Sequence, residues 1–456
     1  MTAHLLTDQH TDETVDVLRR HVTGDFYDLV IDREHSNGSW IVDARTGRRY
    51  LDMVGFYASS AIGHNHPSLT MDPGFRAKLQ SIAGFKPSNP DFPTDVQAAF
   101  TRTFLRVLGD PELPYMLFID GGALAVENAL KVAFDWKTRH NGRRGVAVAG
   151  WRVLHLENAF HGRSGYTLSL TNTDPAKTRL FPAFDWPRVP SPAVNDMTLW
   201  PAPGLTVTER AALAAAEAAF RRHPDEIACF IAEPIQCEGG DRHLRPAFLR
   251  AMQDLCHRHD ALFVLDEVQT GCGVTGVPWL YQQLGLAPDL VAFGKKTQVC
   301  GVMGGRRVSD EPMNAMRTPS RLSSTFGGNL FDMLRATRIL EVIESEELMD
   351  AAAVRGRYLL DLLCAAVDRF GGVLEYPRGR GLLCAVDLLD ADLRDRVVEI
   401  ARDAHDALFV GAGERTLRFR PPLTVTLEEL DESVVRMTAA IGDAVAERGI
   451  PDAGRR

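Results

Sequence analysis

The chain has 456 residues, 45% of them hydrophobic and 24% charged, a length that predicts one large domain with a smaller one beside it and room to bury a cofactor. A formal net charge of -9 argues against a general nucleic-acid binder, whose counterion-driven affinity needs a basic face. No run approaches the roughly 18 consecutive apolar residues of a membrane span.

Met1 to Arg20 has neither a basic flank nor an apolar run, so it reads as neither signal nor transit peptide, and a cytoplasmic protein is expected. Gly63-His64-Asn65-His66-Pro67 looks like a metal pair, yet no acidic or cysteine partner lies near it in sequence. A loop of hydrogen-bonded histidines, with no metal, is the expectation. Apolar runs ending in polar residues then alternate with longer helical patterns: Tyr115 to Asp120, Val153 to Glu157, Ile227 to Glu233, Leu262 to Asp266 and Leu290 to Phe293. That alternation predicts a mostly parallel sheet covered by helices, with ligands at the carboxyl ends of the strands.

The spacing of Val126, Ala129, Leu130, Ala133 and Phe134 predicts a helix over Ala125 to Asn141, and Thr206 with Glu209 forms a capping-box pattern before a helix over Thr208 to His223. Prolines cluster between Phe181 and Pro203 as a surface excursion. Later come a long helix through Arg335 to Leu348, another through Leu363, strands near Gly381 to Leu388 and Thr416 to Phe419, and a final helix from Leu427. The expected organisation is a large α/β domain over 61–330 and a small α+β domain over 331–456, joined by the N-terminal segment 1–60. Seven cysteines at irregular spacings, with no C-x-x-C pair, fit reduced thiols. The arginines at 378, 380, 415, 418 and 420 call for an explanation other than nucleic acid.

The most informative stretch is Ala261-Leu-Phe-Val-Leu-Asp266-Glu267-Val-Gln269, an apolar strand that delivers Asp266 to its end. Taken alone, a helix cap or surface turn explains these acids equally well. The next strand, however, brings Gly294-Lys295-Lys296 to the same sheet edge 29 positions after Asp266. A carboxylate and a lysine placed so suit pyridoxal 5'-phosphate: the acid keeps the pyridine nitrogen protonated, and the lysine forms the Schiff base and shuttles the proton. Strand alternation selects Lys295 and leaves Lys296 as a surface or anion-side residue. Asp120-Gly121-Gly122-Ala123, between a strand and the Ala125 helix, is the candidate phosphate cradle, although Gly-Gly before a helix is usually only a turn.

Gly121-Gly-Ala-Leu-Ala-Val-Glu127-Asn128, Phe160-His161-Gly162-Arg163, Glu233-Pro-Ile-Gln-Cys-Glu238, Asp266-Glu-Val-Gln269, Gly294-Lys295, Ser324-Thr325-Phe-Gly-Gly-Asn329 and Arg418-Phe-Arg-Pro-Pro-Leu stand in that order. Together they resemble the class III aminotransferases from about Gly24 to Leu423. The resemblance implies fold type I of the pyridoxal-phosphate enzymes and a homodimer with its sites at the subunit boundary. It implies that Phe160 stacks on the cofactor ring, Asp266 pairs with its nitrogen, Gln269 lies near its phenolic oxygen, and Gly122 and Ala123 hold the phosphate. Thr325 would reach the phosphate of the neighbouring subunit. Arg418 resembles the arginine that grips an α-carboxylate, a task for a bidentate guanidinium, and Arg163 the one that holds a second carboxylate.

Glu238 would neutralise Arg418 for one substrate and swing away for the other. Gly84-Phe-Lys-Pro-Ser-Asn-Pro-Asp-Phe, Ala133-Phe-Asp-Trp-Lys and Gly294-Lys-Lys-Thr-Gln-Val-Cys resemble the branch of the family that takes the ε-amine of L-lysine and passes it to 2-oxoglutarate, giving L-glutamate. The rivals are ornithine or 4-aminobutyrate as donor, an aminomutase or decarboxylase, and a non-catalytic binder of the cofactor. Three departures from the family pattern stand out. Gly121 removes a phosphate-contacting hydroxyl, Cys237 replaces a common glycine, and Lys296-Thr-Gln-Val-Cys300 replaces a run of small residues.

Overall fold

A computed structural model of the chain describes residues 13–85 and 91–450. Its centre is a seven-stranded sheet in the spatial order Tyr115–Ile119, Cys300–Gly304, Leu290–Phe293, Leu262–Asp266, Ile227–Ala232, Arg152–Leu156 and Arg188–Val189. Only Cys300–Gly304 runs antiparallel to its neighbours. The carboxyl ends of the other strands therefore share one edge, and Asp120, Glu157, Glu233, Asp266 and Lys295 all follow or close strands there.

Side chains alternate between the two faces of a strand, and the core divides accordingly. Phe230, Phe263, Leu265, Val291 and Phe293 pack on one face, in a cluster that runs on into the C-terminal helices. Cys229, Ile231, Leu262, Val264, Leu290 and Ala292 pack on the other against Val126, Ala129, Leu130 and Ala133 of the helix Gly122–Arg143. Strands buried on both faces read as continuous apolar runs, as these do.

A four-stranded antiparallel sheet contains Leu374–Arg380, Leu383–Leu388, Thr416–Phe419 and Val410–Ala412. The N-terminal strands Trp40–Val42 and Arg49–Asp52 form a further sheet with Ala407–Leu408. Leu427–Glu447 starts with a capping box of Thr426 and Glu429, and Val207–Arg222 with one of Thr206 and Glu209. The predicted long helix through Arg335 ends at Ser345, and a second begins at Leu348 after Glu347 adopts a left-handed conformation with φ 50°. No glycine or proline marks that break. Among the described residues no helix is long and apolar enough to cross a membrane.

Candidate active site

The helix Gly122–Arg143 begins without any side-chain cap, and its N-cap Gly121 has φ 99°. Gly121 has no side chain to cap the first N–H groups of the helix, an arrangement that suits an anion. Gly122 lies so close to the Asp266 loop that an added Cβ would fall 2.9 Å from Val268 Cγ1, which brings the cradle against the strand end that carries Asp266. Asp266 itself is buried. Its Oδ2 lies 2.8 Å from His161 Nδ1, and its Oδ1 accepts the Val268 N–H at 3.1 Å. His161 Nε2 is buried without a partner. Sequence reasoning gave His161 no role, although it sits beside Phe160 in the same motif.

Lys295 has φ 52°, a left-handed conformation that costs a residue with a Cβ of order 1–3 kcal/mol and clusters at functional sites. Its Nζ donates to the carbonyl of Tyr57 at 2.7 Å. Burial, aided by Arg418 and Arg420 and opposed by Cys237 and Glu238, pulls the ammonium below its usual range. The sequence gives no sign of the turn that receives it, in which Gly55, Phe56, Tyr57 and Ala58 are all left-handed. Two further carbonyls just beyond that turn are also taken: Gln298 Nε2 donates to Ser59 O and Lys296 Nζ to Ser60 O.

The expectation that Lys296 lies on the surface is therefore corrected. Its side chain is buried and also donates to Pro421 O at 3.4 Å, tying three distant segments together. Burial, with Arg420 and Lys295 adding to it against Cys272, pushes its ammonium down to about 7. The alternation argument fails because the strand stops at Phe293 and Lys295–Thr297 form a 3-10 turn.

Arg418 is buried and pinned: Nη2 donates to Gly411 O at 3.0 Å and to Glu238 Oε2 at 3.1 Å, and Nη1 donates to Cys237 O at 3.4 Å. Its Nε is buried with no partner, a spare donor suited to a carboxylate. Glu238 Oε1 accepts from Lys177 Nζ at 2.6 Å. Burial opposes its ionisation, but Arg418 and Lys177 hold the carboxyl below its ordinary range.

Phe160 is half-buried, with its N–H donated to Glu233 Oε1 at 2.9 Å. Glu233 also accepts from Cys237 N, and burial beside Asp266 raises its carboxyl well above the usual range. It therefore braces the Phe160 and Glu238 loops. Gln269 Oε1 accepts from Arg420 Nε at 3.0 Å. Arg163 and Thr325 are exposed and make no side-chain hydrogen bond to a described residue.

The remaining expectations resolve into structure. Glu267 accepts the Leu280 and Tyr281 N–H groups at the start of the helix Leu280–Leu284, and burial pushes its carboxyl up to about 7. Arg378 donates to Gly240 O and Asp387, Arg415 to Glu375, and Arg420 to Asp241, while Arg380 donates to Gln283 and lies over the Trp200 ring, so the arginine run is absorbed by ion pairs and one stacked guanidinium. His64 meets Asp52, and His66 meets Ser68 and Glu346. Residues 86–90 of the Gly84 to Phe92 phrase and residues 1–12 of the N-terminal stretch lie outside the described residues.

The Aminotransferase class-III profile matches residues 24–441. A relative from Amycolatopsis lactamdurans, an L-lysine-epsilon aminotransferase, is 58% identical over 93% of this chain and 94% of its own length. One of the same description from Streptomyces clavuligerus is 52% identical over 96% of each. The solved lysine aminotransferase from M. tuberculosis in its internal aldimine form superposes with a TM-score of 0.91 at 53% identity, covering 95% of this chain and 99% of the other.

Proposed function

We propose, from the premise that the chain belongs to the class III aminotransferase family, that it transfers the ε-amino group of L-lysine to 2-oxoglutarate. The products are L-glutamate and 2-aminoadipate 6-semialdehyde, which cyclises to 1-piperideine 6-carboxylate. The fold is type I of the pyridoxal-phosphate enzymes, and the cofactor is pyridoxal 5'-phosphate. The residues fit that group: an uncapped helix start with a glycine too close to Val268 for a side chain, a buried carboxylate, and an amine at the same sheet edge. When bound, it supplies an electron sink for the carbon that loses its proton.

Lys295 attaches the cofactor and then carries the proton, a duty suited to an amine whose ammonium is destabilised by burial. Asp266, oriented by His161 and the Val268 N–H, keeps the ring nitrogen protonated. Gly122 and Ala123 offer N–H groups to the phosphate, Phe160 covers the ring, and Gln269, held by Arg420, serves the phenolic oxygen. In a homodimer Thr325 reaches the phosphate of the neighbouring subunit. The exposure of Thr325, of Phe326 beside it and of Leu124 behind the cradle supports that arrangement.

The observation that carries the reading is the Arg418–Glu238 pair. An enzyme that presents a terminal amine in one half-reaction and an α-amine in the other must hide and then expose its α-carboxylate anchor. With Glu238 on Arg418, lysine enters by its ε-amine and leaves its own carboxylate to Arg163. With Glu238 displaced, 2-oxoglutarate places its α-carboxylate on Arg418 and its other carboxylate on Arg163. Glutamate formation from 2-oxoglutarate, measured with L-lysine, L-ornithine and 4-aminobutyrate separately and with the cyclic imine product identified by mass, tests the assignment. Lysine is expected to give the highest kcat/KM, and a preference for either other donor overturns it.

A further inference from the structure

We infer that Lys177 is a positioning residue for the Glu238 switch, a mobile second cation that keeps hold of the glutamate when it leaves Arg418. This rests on the lysine and 2-oxoglutarate reading above and extends it to a residue on which that reading does not depend.

Glu238 spans two cations through opposite oxygens. Its Oε2 is 3.1 Å from Arg418 Nη2 and its Oε1 is 2.6 Å from Lys177 Nζ. The two cations differ in freedom. The Arg418 side chain is 4% exposed and is tied to the carbonyls of Gly411 and Cys237, so it stays in place. The Lys177 side chain is 28% exposed, and its ammonium, on a flexible four-carbon stem, can follow a moving carboxylate. Lys177 closes a short 3-10 turn, Pro175–Lys177, whose start is fixed by Asp174 accepting the Ala176 N–H.

Both residues also face a cleft of about 770 Å³ lined in part by Asn158, Arg242 and Arg394. Glu238 therefore has room on the side where Lys177 waits. A half-buried carboxylate that gave up its only cation would lose its ion pair outright. One that keeps the closer of two partners loses far less, so the open state becomes accessible to 2-oxoglutarate. Lys177 Nζ also lies 5.8 Å from the centre of the Phe160 ring, so the ammonium borders the site that Phe160 lines.

The test is a double-mutant cycle on the holoenzyme, with each half-reaction followed separately in single turnovers. In Lys177→Met, kcat/KM for 2-oxoglutarate is expected to fall about tenfold relative to that for L-lysine, chiefly through KM, and Lys177→Arg is expected to restore the ratio. In the Glu238→Gln background the Lys177→Met change is expected to shift the ratio no further. Equal losses in both half-reactions, or an unmoved ratio, overturn the inference. A shift that persists without the Glu238 charge overturns it as well, by making Lys177 a direct contact of the substrate. If Glu238→Gln alone leaves the ratio unmoved, the switch itself fails and Lys177 with it. A ratio that moves in Glu238→Gln but not in Lys177→Met removes only the role of Lys177.

Discussion

Glu238→Gln isolates charge from shape. The amide fills the same space and keeps one acceptor oxygen for either Lys177 or Arg418, but its other end is a donor and it no longer neutralises a guanidinium whose side chain is 4% exposed. Removing one member of a close, hydrogen-bonded charge pair costs about 2–5 kcal/mol. Because the Glu238 side chain is itself 27% exposed, solvent screening places the loss near the lower end, ~2 kcal/mol. At 1.36 kcal/mol per factor of ten, that is roughly a 30-fold fall in kcat/KM. The whole loss should appear in the half-reaction with L-lysine, where Arg418 must stay hidden. The half-reaction with 2-oxoglutarate, which needs Arg418 bare, should hold or rise. Rapid-mixing single turnovers, each started from the appropriate cofactor form, read the two separately. Equal falls in both would refute the reasoning.

Asp241→Asn strips the anion from Arg420, and both side chains are almost fully buried. Loss of one partner from such a pair costs about 3–5 kcal/mol. Thermal unfolding should show a clearly lowered Tm, and a Tm equal to that of the parent would contradict the pairing. Lys296, with its ammonium pushed from 10.5 to about 7 in the folded chain, binds fewer protons folded than unfolded across that window. Its contribution therefore makes stability rise from pH ~7 to ~10.5. Denaturant titrations of Lys296→Met against the parent should show a flatter slope over that range, and identical slopes would place the lysine in solvent.

How far the sequence carried the fold depends on what each element buries. Leu262–Asp266 and Leu290–Phe293 were legible to the residue because strands covered on both faces are short apolar runs with polar ends. Cys300–Gly304 was not, since Gly301 and Gly304 read as turn residues. Gly301 is there because a Cβ would meet the Leu117 carbonyl of the next strand at 2.2 Å. Leu374–Arg380 was missed for a similar reason, with Pro377 and a register shift between Glu375 and Arg378 interrupting it.

In the site, the residues whose neighbours lie in their own motif could be read directly. Those whose meaning depends on a distant partner could not, apart from the Glu238–Arg418 pair, which the family resemblance supplied across 180 positions. His161 meets Asp266 from 105 positions away, Lys177 meets Glu238 from 61, and the carbonyl that takes up Lys295 is 238 away. Lys296 was misplaced because one unpredicted turn after Phe293, Lys295–Thr297, buries its side chain.

The central claim, that Lys295 holds pyridoxal phosphate and runs two half-reactions, is tested most directly by the absorbance spectrum of the purified holoenzyme. The spectrum is recorded alone, after L-lysine, and after a further addition of 2-oxoglutarate. The account predicts a band near the visible edge that disappears with lysine, as the cofactor passes to its amine form, and returns with 2-oxoglutarate. No such band after cofactor is supplied, or a band that ignores both substrates, would contradict it.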